Sequence, residues 1–218
     1  MTISSPATLH DRNWQNSLSE DAVDKLPRIK IAADWITALK PLHLLDIGCG
    51  AGQLARRIKN ALPDVQIHGL DFSKTAIDHA SKFLEKTWQL NIDLEDMPTP
   101  DEYYDAVICM EVLEHIYDIM HLLKEIRRVV KPTGKVLISV PNLAYWRFRL
   151  QLLMGVLPHP EIFNPEHIHA FVLSSLKERM RRADLFISRY WGYGNRLKFL
   201  AEKYPQLFSS TLFVECHR

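Results

Sequence analysis

No stretch of this 218-residue sequence approaches the roughly 20 consecutive apolar residues that cross a bilayer. The first residues carry no basic region followed by an apolar core, so the expectation is a cytoplasmic protein without a membrane span. Cysteine is scarce. Cys49, Cys109 and Cys216 are an odd number without C-x-x-C spacing, which speaks against a disulfide framework or a zinc knuckle and leaves three reduced thiols in apolar surroundings. Net charge is nearly absent: 27 Lys and Arg against 26 Asp and Glu leave +1. No global field therefore steers the chain to nucleic acid or anionic lipid, and any polyanion site has to be local. Internal repeats and low-complexity tracts are missing too. What remains is a length that fits one domain and suffices to bury a sizeable core.

Residues 1–26 are polar, with scattered apolar positions such as Trp14, and read as a flexible arm or marginal helix able to fold over a ligand. From Pro27 the positions Ile29, Ala32, Ala33, Ile36 and Leu39 recur at helical spacing until Pro41 stops them. Short apolar runs then alternate with amphipathic segments. Strands are expected at 43–47, 65–70, 87–92, 104–110, 135–140, 186–190 and 211–216, and helices at 53–61, 75–85, 116–130 and 173–183. Leu122, Leu123, Ile126 and Val129 share one face of the third of these helices, and Lys131-Pro132-Thr133-Gly134 reads as the turn that follows it. The order implies an α/β domain over residues 27–218, a largely parallel sheet with helices on both faces. Residues 141–171 interrupt the rhythm and are the natural place for substrate contacts. They hold an aromatic and basic helix candidate at 143–154, a proline-rich loop at 155–165, and Glu166-His167-Ile168-His169.

The chemistry sits where strands end. Leu44-Leu45-Asp46-Ile47-Gly48-Cys49-Gly50-Ala51-Gly52 is a strand running into a glycine loop that opens a helix, where glycine permits positive φ and close backbone approach to a ligand. A dinucleotide fingerprint would need its third glycine at position 53, which is Gln53; Gly52 comes one residue early, so the loop is not shaped for a pyrophosphate. Gly69-Leu70-Asp71-Phe72-Ser73 follows about 20 residues on, the distance at which an acidic side chain can accept both hydroxyls of a ribose. Alone, each motif could be a tight turn and a solvated aspartate, but their order and spacing together weigh against that. An acidic turn, Asn91-Ile92-Asp93-Leu94-Glu95-Asp96-Met97-Pro98, and the strand Tyr104-Asp105-Ala106-Val107-Ile108-Cys109-Met110-Glu111 complete the set.

With these four motifs in register, the chain resembles the class I S-adenosylmethionine-dependent methyltransferases over residues 44–140, and more loosely through the last strands. Within them it resembles the ubiquinone-pathway O-methyltransferase-like, small-molecule group. The resemblance implies a Rossmann-like seven-stranded sheet whose last strand is antiparallel, with S-adenosylmethionine across the carboxyl ends of the first strands. It maps Gly48, Gly50 and Gly52 to the methionine and ribose side, and Asp46 to support of the loop and of the cofactor's amino group. Asp71 maps to the ribose hydroxyls, Phe72 to adenine packing, Asp93 to the adenine amine, the Leu94 backbone to the ring, and Met110 to the floor near the sulfonium.

Because the methyl group is already activated on a sulfonium, transfer needs an aligned nucleophile above all, and positioning alone can supply roughly 7–11 kcal/mol. The absence of a triad is therefore no argument against an enzyme. Glu111-Val112-Leu113-Glu114-His115-Ile116 would cluster two carboxylates and an imidazole at i, i+3 and i+4 of one helical face. It looks like the E-x-x-E-H of ubiquinone-pathway O-methyltransferases and, with a later histidine, of small-RNA terminal-ribose methyltransferases. There the resemblance implies a divalent cation such as Mg2+, with His167 or His169 as a fourth ligand.

Without metal, His115 or His167 would act as base; on a purely structural reading Glu111 holds backbone groups, Glu114 lies in solvent and His115 caps a helix. Glu111, His115 and His167 are the candidate catalytic residues, and no metal ligand is assigned. The Tyr145-Trp146-Arg147-Phe148-Arg149 segment reads as core packing, as a lid over a quinone-like substrate or as a membrane-surface helix. The expected partner is a small-molecule acceptor, methylated on oxygen; nucleic acid is not expected, since no longer basic and aromatic stripe exists. An RNA ribose methyltransferase and a cofactor-binding protein without turnover are the alternatives.

Overall fold

The computed structural model describes residues 27–158, 166–193 and 198–218. The polar arm of residues 1–26 and residues 159–165 of the proline-rich loop lie outside the described residues. In chain order the elements are α1 (Pro27–Leu39), β1 (His43–Ile47), α2 (Gln53–Ala61), β2 (Gln66–Asp71), α3 (Lys74–Ala80), β3 (Lys86–Gln89) and β4 (Tyr104–Met110). A 3-10 turn (Leu113–His115) leads to α4 (Ile119–Val129) and β5 (Val130–Pro141). Then come α5 (Trp146–Leu153), α6 (Leu173–Arg182), β6 (Phe186–Tyr193), α7 (Lys198–Lys203), α8 (Pro205–Phe208) and β7 (Thr211–His217).

The seven strands lie in the order β3-β2-β1-β4-β5-β7-β6. All neighbours from β3 through β5 are parallel, and β7 runs antiparallel to both β5 and β6. Period-two alternation along the strands builds a core on each face. In β4, Val107 and Cys109 join Leu122, Ile126 and Met180 on the face covered by α4 and α6. Ala106 and Ile108 join Ile36, Ile58 and Ile77 under α1, α2 and α3. The Trp35 indole N–H donates to Glu215 at 2.9 Å and ties α1 to β7. All three cysteines are buried and unbridged, and burial pushes the Cys216 thiol up to about 12. Among the described residues no helix is long and apolar enough to cross a membrane.

The strand expected at 87–92 ends at Gln89, after which the Leu90 N–H turns back to the Asp71 carbonyl at 3.0 Å, and the helix expected at 143–154 is α5, which starts only at Trp146. Three further elements depart from expectation, each for a readable reason. α3 stops at Ala80 rather than running to residue 85: after a turn, the Glu85 N–H donates to the Ile67 carbonyl at 3.0 Å instead of to a helical acceptor, and its carboxylate meets the Ile67 N–H (2.6 Å) and the Lys59 ammonium. β5 starts at Val130: Tyr104 pairs with Val130 and Ala106 with Lys135, so the Lys131–Gly134 turn bulges out of a ladder that spans it, with Pro132, which has no N–H to donate, exposed in the bulge. The expected helix at residues 116–130 begins only at Ile119, where Asp118 accepts from the His121 N–H at 3.0 Å as N-cap.

Arg128, at the end of α4, fastens the loop that leads into β4. Its guanidinium donates to Glu125, to Asp101 and to the carbonyls of Thr99 and Met97, over 2.6 to 3.0 Å. Burial works to raise the Glu125 carboxyl, but hydrogen bonds from Arg128 and the Met97 N–H outweigh it and hold it below its ordinary value. Arg128→Met is expected to cost about 1.5–3 kcal/mol in urea unfolding, the worth of hydrogen bonds to a charged group. The wild-type advantage should fade as pH falls below the ordinary carboxylate range through the depressed value, because a protonated Glu125 no longer holds the cation. A loss within 0.5 kcal/mol at neutral pH, the size of an ordinary surface substitution, would remove the network from the account.

Candidate functional site

β1 lies between β2 and β4, whose connections leave in opposite directions along the sheet, so a crevice opens outside their carboxyl ends. The loop after β1 fills its floor. Gly48, Gly50 and Gly52 have φ of 70°, 54° and 81°, a region that side chains other than glycine avoid. Space demands glycine as well: a Cβ on Gly48 would sit 2.4 Å from the Val112 Cγ2, and one on Gly52 3.1 Å from the Ala80 Cα. The N–H groups of Gly48 and Cys49 both donate to the Leu70 carbonyl, at 2.8 and 3.1 Å, and bind the loop to the end of β2.

Around this loop stand carboxylates. Asp71 ends β2, buried, and accepts from the Gly50 N–H and the Ser73 N–H, both at 2.9 Å. It is thus a brace for the loop in addition to any ligand contact. Ser73 in turn caps α3, its hydroxyl accepting from the Ala76 N–H at 3.1 Å. Buried Asp46 is pushed up to about 7, first by burial and then by the Asp71 charge. Asp93 is half-buried and accepts from the Asp118 N–H at 2.9 Å, which joins the acidic turn after β3 to the cap of α4. Leu94 points its side chain out, 80% exposed, and its N–H is committed to the Asn91 carbonyl at 3.0 Å. Phe72 and Met110 are half-buried at the ends of β2 and β4. A crevice with a positive-φ loop and several carboxylates favours a ligand that carries positive charge.

On the β4 side, Glu111 follows the strand with φ 54°, a strained value for a non-glycine residue. Its carboxylate accepts from the Ser139 hydroxyl at 3.0 Å and its N–H donates to the Ser139 carbonyl at 3.1 Å. Glu114 is only 1% exposed, and neither carboxylate oxygen has a hydrogen-bond partner. Burial raises its pKa well above the ordinary value and the Glu111 charge raises it further, while its own backbone N–H and then Arg28 of α1 pull the other way. The Ile168 and His169 N–H groups donate to the Glu114 carbonyl at 2.8 and 3.1 Å, and this brings His167 to the turn. Glu114, His115 and His167 each offer one ligand atom, all within 4.8 Å of one another, and the two rings meet edge to face at 4.8 Å. The Glu166 carbonyl accepts from His115 Nδ1 at 3.0 Å, which leaves Nε2 as the basic nitrogen of the neutral ring.

Two readings of this stretch need correction. The carboxylates and imidazole do not share one helical face: Glu111 lies before a three-residue 3-10 turn, and chain reversal rather than helical pitch brings them together. Glu114 is not in solvent, and the helix cap is Asp118, not His115. His167 joins the cluster, whereas the His169 ring lies 6.4 Å from that of Phe171 with its Nε2 buried and without a partner. Glu114 stands out in the sequence only as a possible cation ligand or a solvated residue, and Ser73, Ser139 and Arg28 do not stand out as site residues. Only Ser73 carries a local signal, as a cap before an apolar-periodic run; the others owe their place to tertiary contacts.

A family model described as a methyltransferase domain matches residues 45–138. The ubiquinone biosynthesis O-methyltransferase of Coxiella burnetii (strain RSA 493 / Nine Mile phase I) is 36% identical over 120 residues, 53% of this chain and 50% of that one. The chain thus spans about half the length of the curated relatives it matches. A SAM dependent methyltransferase from Archaeoglobus fulgidus is similar in structure, with a TM-score of 0.68 at 16% identity over 97% of this chain and 99% of that one. The plantazolicin methyltransferase BpumL, solved in complex with SAH, has a TM-score of 0.64 at 18% identity, over 99% and 91% of the two chains. At such identities the likeness is one of fold.

Proposed function

We propose that this chain, whose residues 45–138 match a methyltransferase domain and whose fold is that of S-adenosylmethionine-dependent methyltransferases, is a class I member that transfers the cofactor's methyl group to an oxygen of a small-molecule acceptor. The observation that carries this reading is the buried, unpartnered Glu114 carboxylate beside His115 and His167, in the turn after β4, the strand that flanks β1 and its glycine loop. On this reading Asp46 faces the cofactor's amino group, Gly48, Gly50 and Gly52 follow its methionine and ribose, and Asp71 accepts from the ribose hydroxyls. Phe72 covers the adenine, Asp93 and the Leu94 backbone hold its edge once the Leu94 N–H gives up the Asn91 carbonyl, and Met110 lies under the sulfonium. The acceptor proton passes to His115 Nε2 or to His167, and Glu114 offsets the positive charge that the ring gains. Such proton transfer contributes typically 10²–10⁴-fold.

Incubation with methyl-labelled S-adenosylmethionine and separate pools of phenols, amines and short RNAs tests the assignment. Label in the phenols is expected. Label only in RNA would overturn the small-molecule reading, and binding of S-adenosylhomocysteine with no label anywhere would overturn turnover. Asp71→Ala should weaken S-adenosylhomocysteine binding by about 1.5–3 kcal/mol in calorimetry. It should also lower the melting temperature, because the Gly50 and Ser73 N–H groups lose their acceptor. Unchanged affinity in a folded variant would exclude Asp71 from the cofactor.

A second reading has the same three residues hold a divalent cation, and the orphaned Glu114 oxygens within reach of two imidazoles fit one. Two nitrogen donors suit a transition-metal dication better than Mg2+, whose sites are rich in oxygen. Such an ion, when bound, lowers the pKa of a hydroxyl at the site. Loss of transfer in chelator with cofactor binding intact would favour the cation, and full activity in chelator would leave His115 and His167 as bases.

A further inference from the structure

At the end of the sheet opposite the crevice, a cavity of about 290 Å³ opens between the last turns of α4 and α6 and the residues that lead into β4 and β6. β7 runs antiparallel and ends there too, which places Arg218 on its wall. The seven residues of β4 separate this cavity from the crevice by about 20 Å, so it is no part of the cofactor or acceptor site. Its volume is close to the lower end of small-molecule sites, roughly 300 Å³. Backbone bonds fix its walls: the Glu102 N–H donates to the Arg128 carbonyl at 2.9 Å, and the Asp184 N–H to the Arg181 carbonyl at 3.2 Å.

Five cations line the cavity, Lys124, Arg127 and Arg128 of α4, Arg182 of α6 and Arg218, against the acids Asp101, Glu102 and Asp184. Arg128 is held by Asp101 and Glu125, and Arg218 by Glu102. Among the described residues Lys124, Arg127 and Arg182 form no ion pair and neither does Asp184, so three cations face one acid. Arg127 is further distinguished: its Nε is buried and has no acceptor among the described residues. A buried donor on a charged group is costly to leave unpaired, and an acceptor in the cavity removes that cost. Basic residues in the last turn of a helix offset its dipole, which accounts for the places of Arg127 and Arg182 in the sequence. It does not account for a guanidinium nitrogen closed off from solvent and from protein acceptors alike.

We propose that this cavity binds a phosphate group, either inorganic phosphate or the phosphate of a small monoester. A phosphate brings nearly two negative charges and three strong acceptor oxygens, enough to meet two guanidinium groups and an ammonium at once. A single carboxylate matches one guanidinium fork and leaves the other cations unanswered. The net charge of the chain is only +1, so the attraction resides in this cluster and not in a field of the whole molecule. Because the walls are fixed by backbone bonds, little ordering opposes binding. The site is independent of methyl transfer, and a ligand there would act on the fold from the far ends of α4, β4 and β6.

The test is calorimetric titration of the full chain with inorganic phosphate, with glycerol 3-phosphate and with glutarate, sodium chloride holding the ionic strength constant. Saturable binding of one or both phosphates is expected, the tighter of the two showing whether the free ion or a monoester is the ligand. Arg127→Gln with Arg182→Gln should weaken it about a hundredfold, two charge-assisted hydrogen bonds at about tenfold each. That pair should keep wild-type circular dichroism and S-adenosylhomocysteine affinity. If it does not fold, Lys124→Gln, on an exposed side chain of α4, should still weaken binding about tenfold at low salt. Lys30→Gln, on α1, should leave binding unchanged. Heats that do not saturate with either phosphate would overturn the proposal, as would glutarate binding equally well or a folded Arg127 and Arg182 pair binding as wild type. Binding of a short RNA that the same substitutions abolish, with neither small phosphate saturating, would overturn it in favour of a polyanion.

Discussion

Glu114→Gln is expected to raise the melting temperature at neutral pH while lowering methyl transfer by ~10²–10⁴-fold. The two effects have one cause. A buried carboxylate without hydrogen bonds is costly to ionise, and burial and the Glu111 charge raise its folded pKa above the ordinary 4.5. A carboxyl with a raised folded pKa stabilises the fold only at low pH. That contribution disappears as pH rises from the ordinary carboxyl range through the raised value, by about 1.4 kcal/mol for each unit of elevation. Glutamine keeps the shape and never ionises, so the variant's thermal advantage should be absent in mild acid and grow toward neutrality. Functional groups are often held at such a cost. Thermal unfolding across pH, paired with turnover of labelled cofactor, reads both. Activity within twofold of wild type would mark Glu114 as structural, and an advantage independent of pH would remove ionisation as the cause.

Gly48→Ala is the second large change, expected to cost about 2–5 kcal/mol and to eliminate measurable cofactor binding. The left-handed backbone of a non-glycine residue contributes about 1–2 kcal/mol. Forcing a methyl group to within 2.4 Å of the Val112 Cγ2 adds about 1–3 kcal/mol of overpacking. The parts can be separated, because Val112→Ala removes the obstructing methyl groups but leaves φ at 70°. In a double-mutant cycle the second substitution should return most of the overpacking and none of the backbone strain. Strict additivity of the two substitutions would mean that the loop moves away from Val112 instead of pressing on it.

The proposed cofactor half of the site is the more legible in the sequence because its parts are contiguous. Asp46 and the three glycines lie within seven residues of a strand whose bounds, His43–Ile47, follow from an apolar run that ends at a glycine. Gln53–Ala61 and Tyr104–Met110 were readable in the same way, each closed by residues that cannot continue the pattern. The β5 boundary was not: Lys131-Pro132-Thr133-Gly134 has the composition of a turn, and only the partner strand reveals that the ladder spans it. The proposed acceptor half is only partly legible. Glu111, Glu114, His115 and His167 stood out as a set, but not the burial of Glu114. That is produced by residues 166–169 and by α1, which meet the turn across 51 residues in the His115 to Glu166 contact and from far upstream in Arg28. Asp118 was the local signal that a helix could not start at Ile116, and the apolar Ile116 masked it.

The position of β7 has a consequence for assembly. It enters the sheet between β5 and β6, and β6 pairs with no other described strand. β6 therefore cannot be registered until β7 has arrived, even though it comes earlier in the chain. The first five strands pair through parallel units made in sequence order, while the last two must dock together, β7 on β5 and β6 on β7. Pairs of this kind behave as one cooperative opening unit, so the amides of β6 should exchange with solvent no more slowly than those of β7, and a lesion in β7 should release both at once. Until that step the edge of β5 stands open as an unpaired template, the interval in which a refolding chain is most exposed to its neighbours.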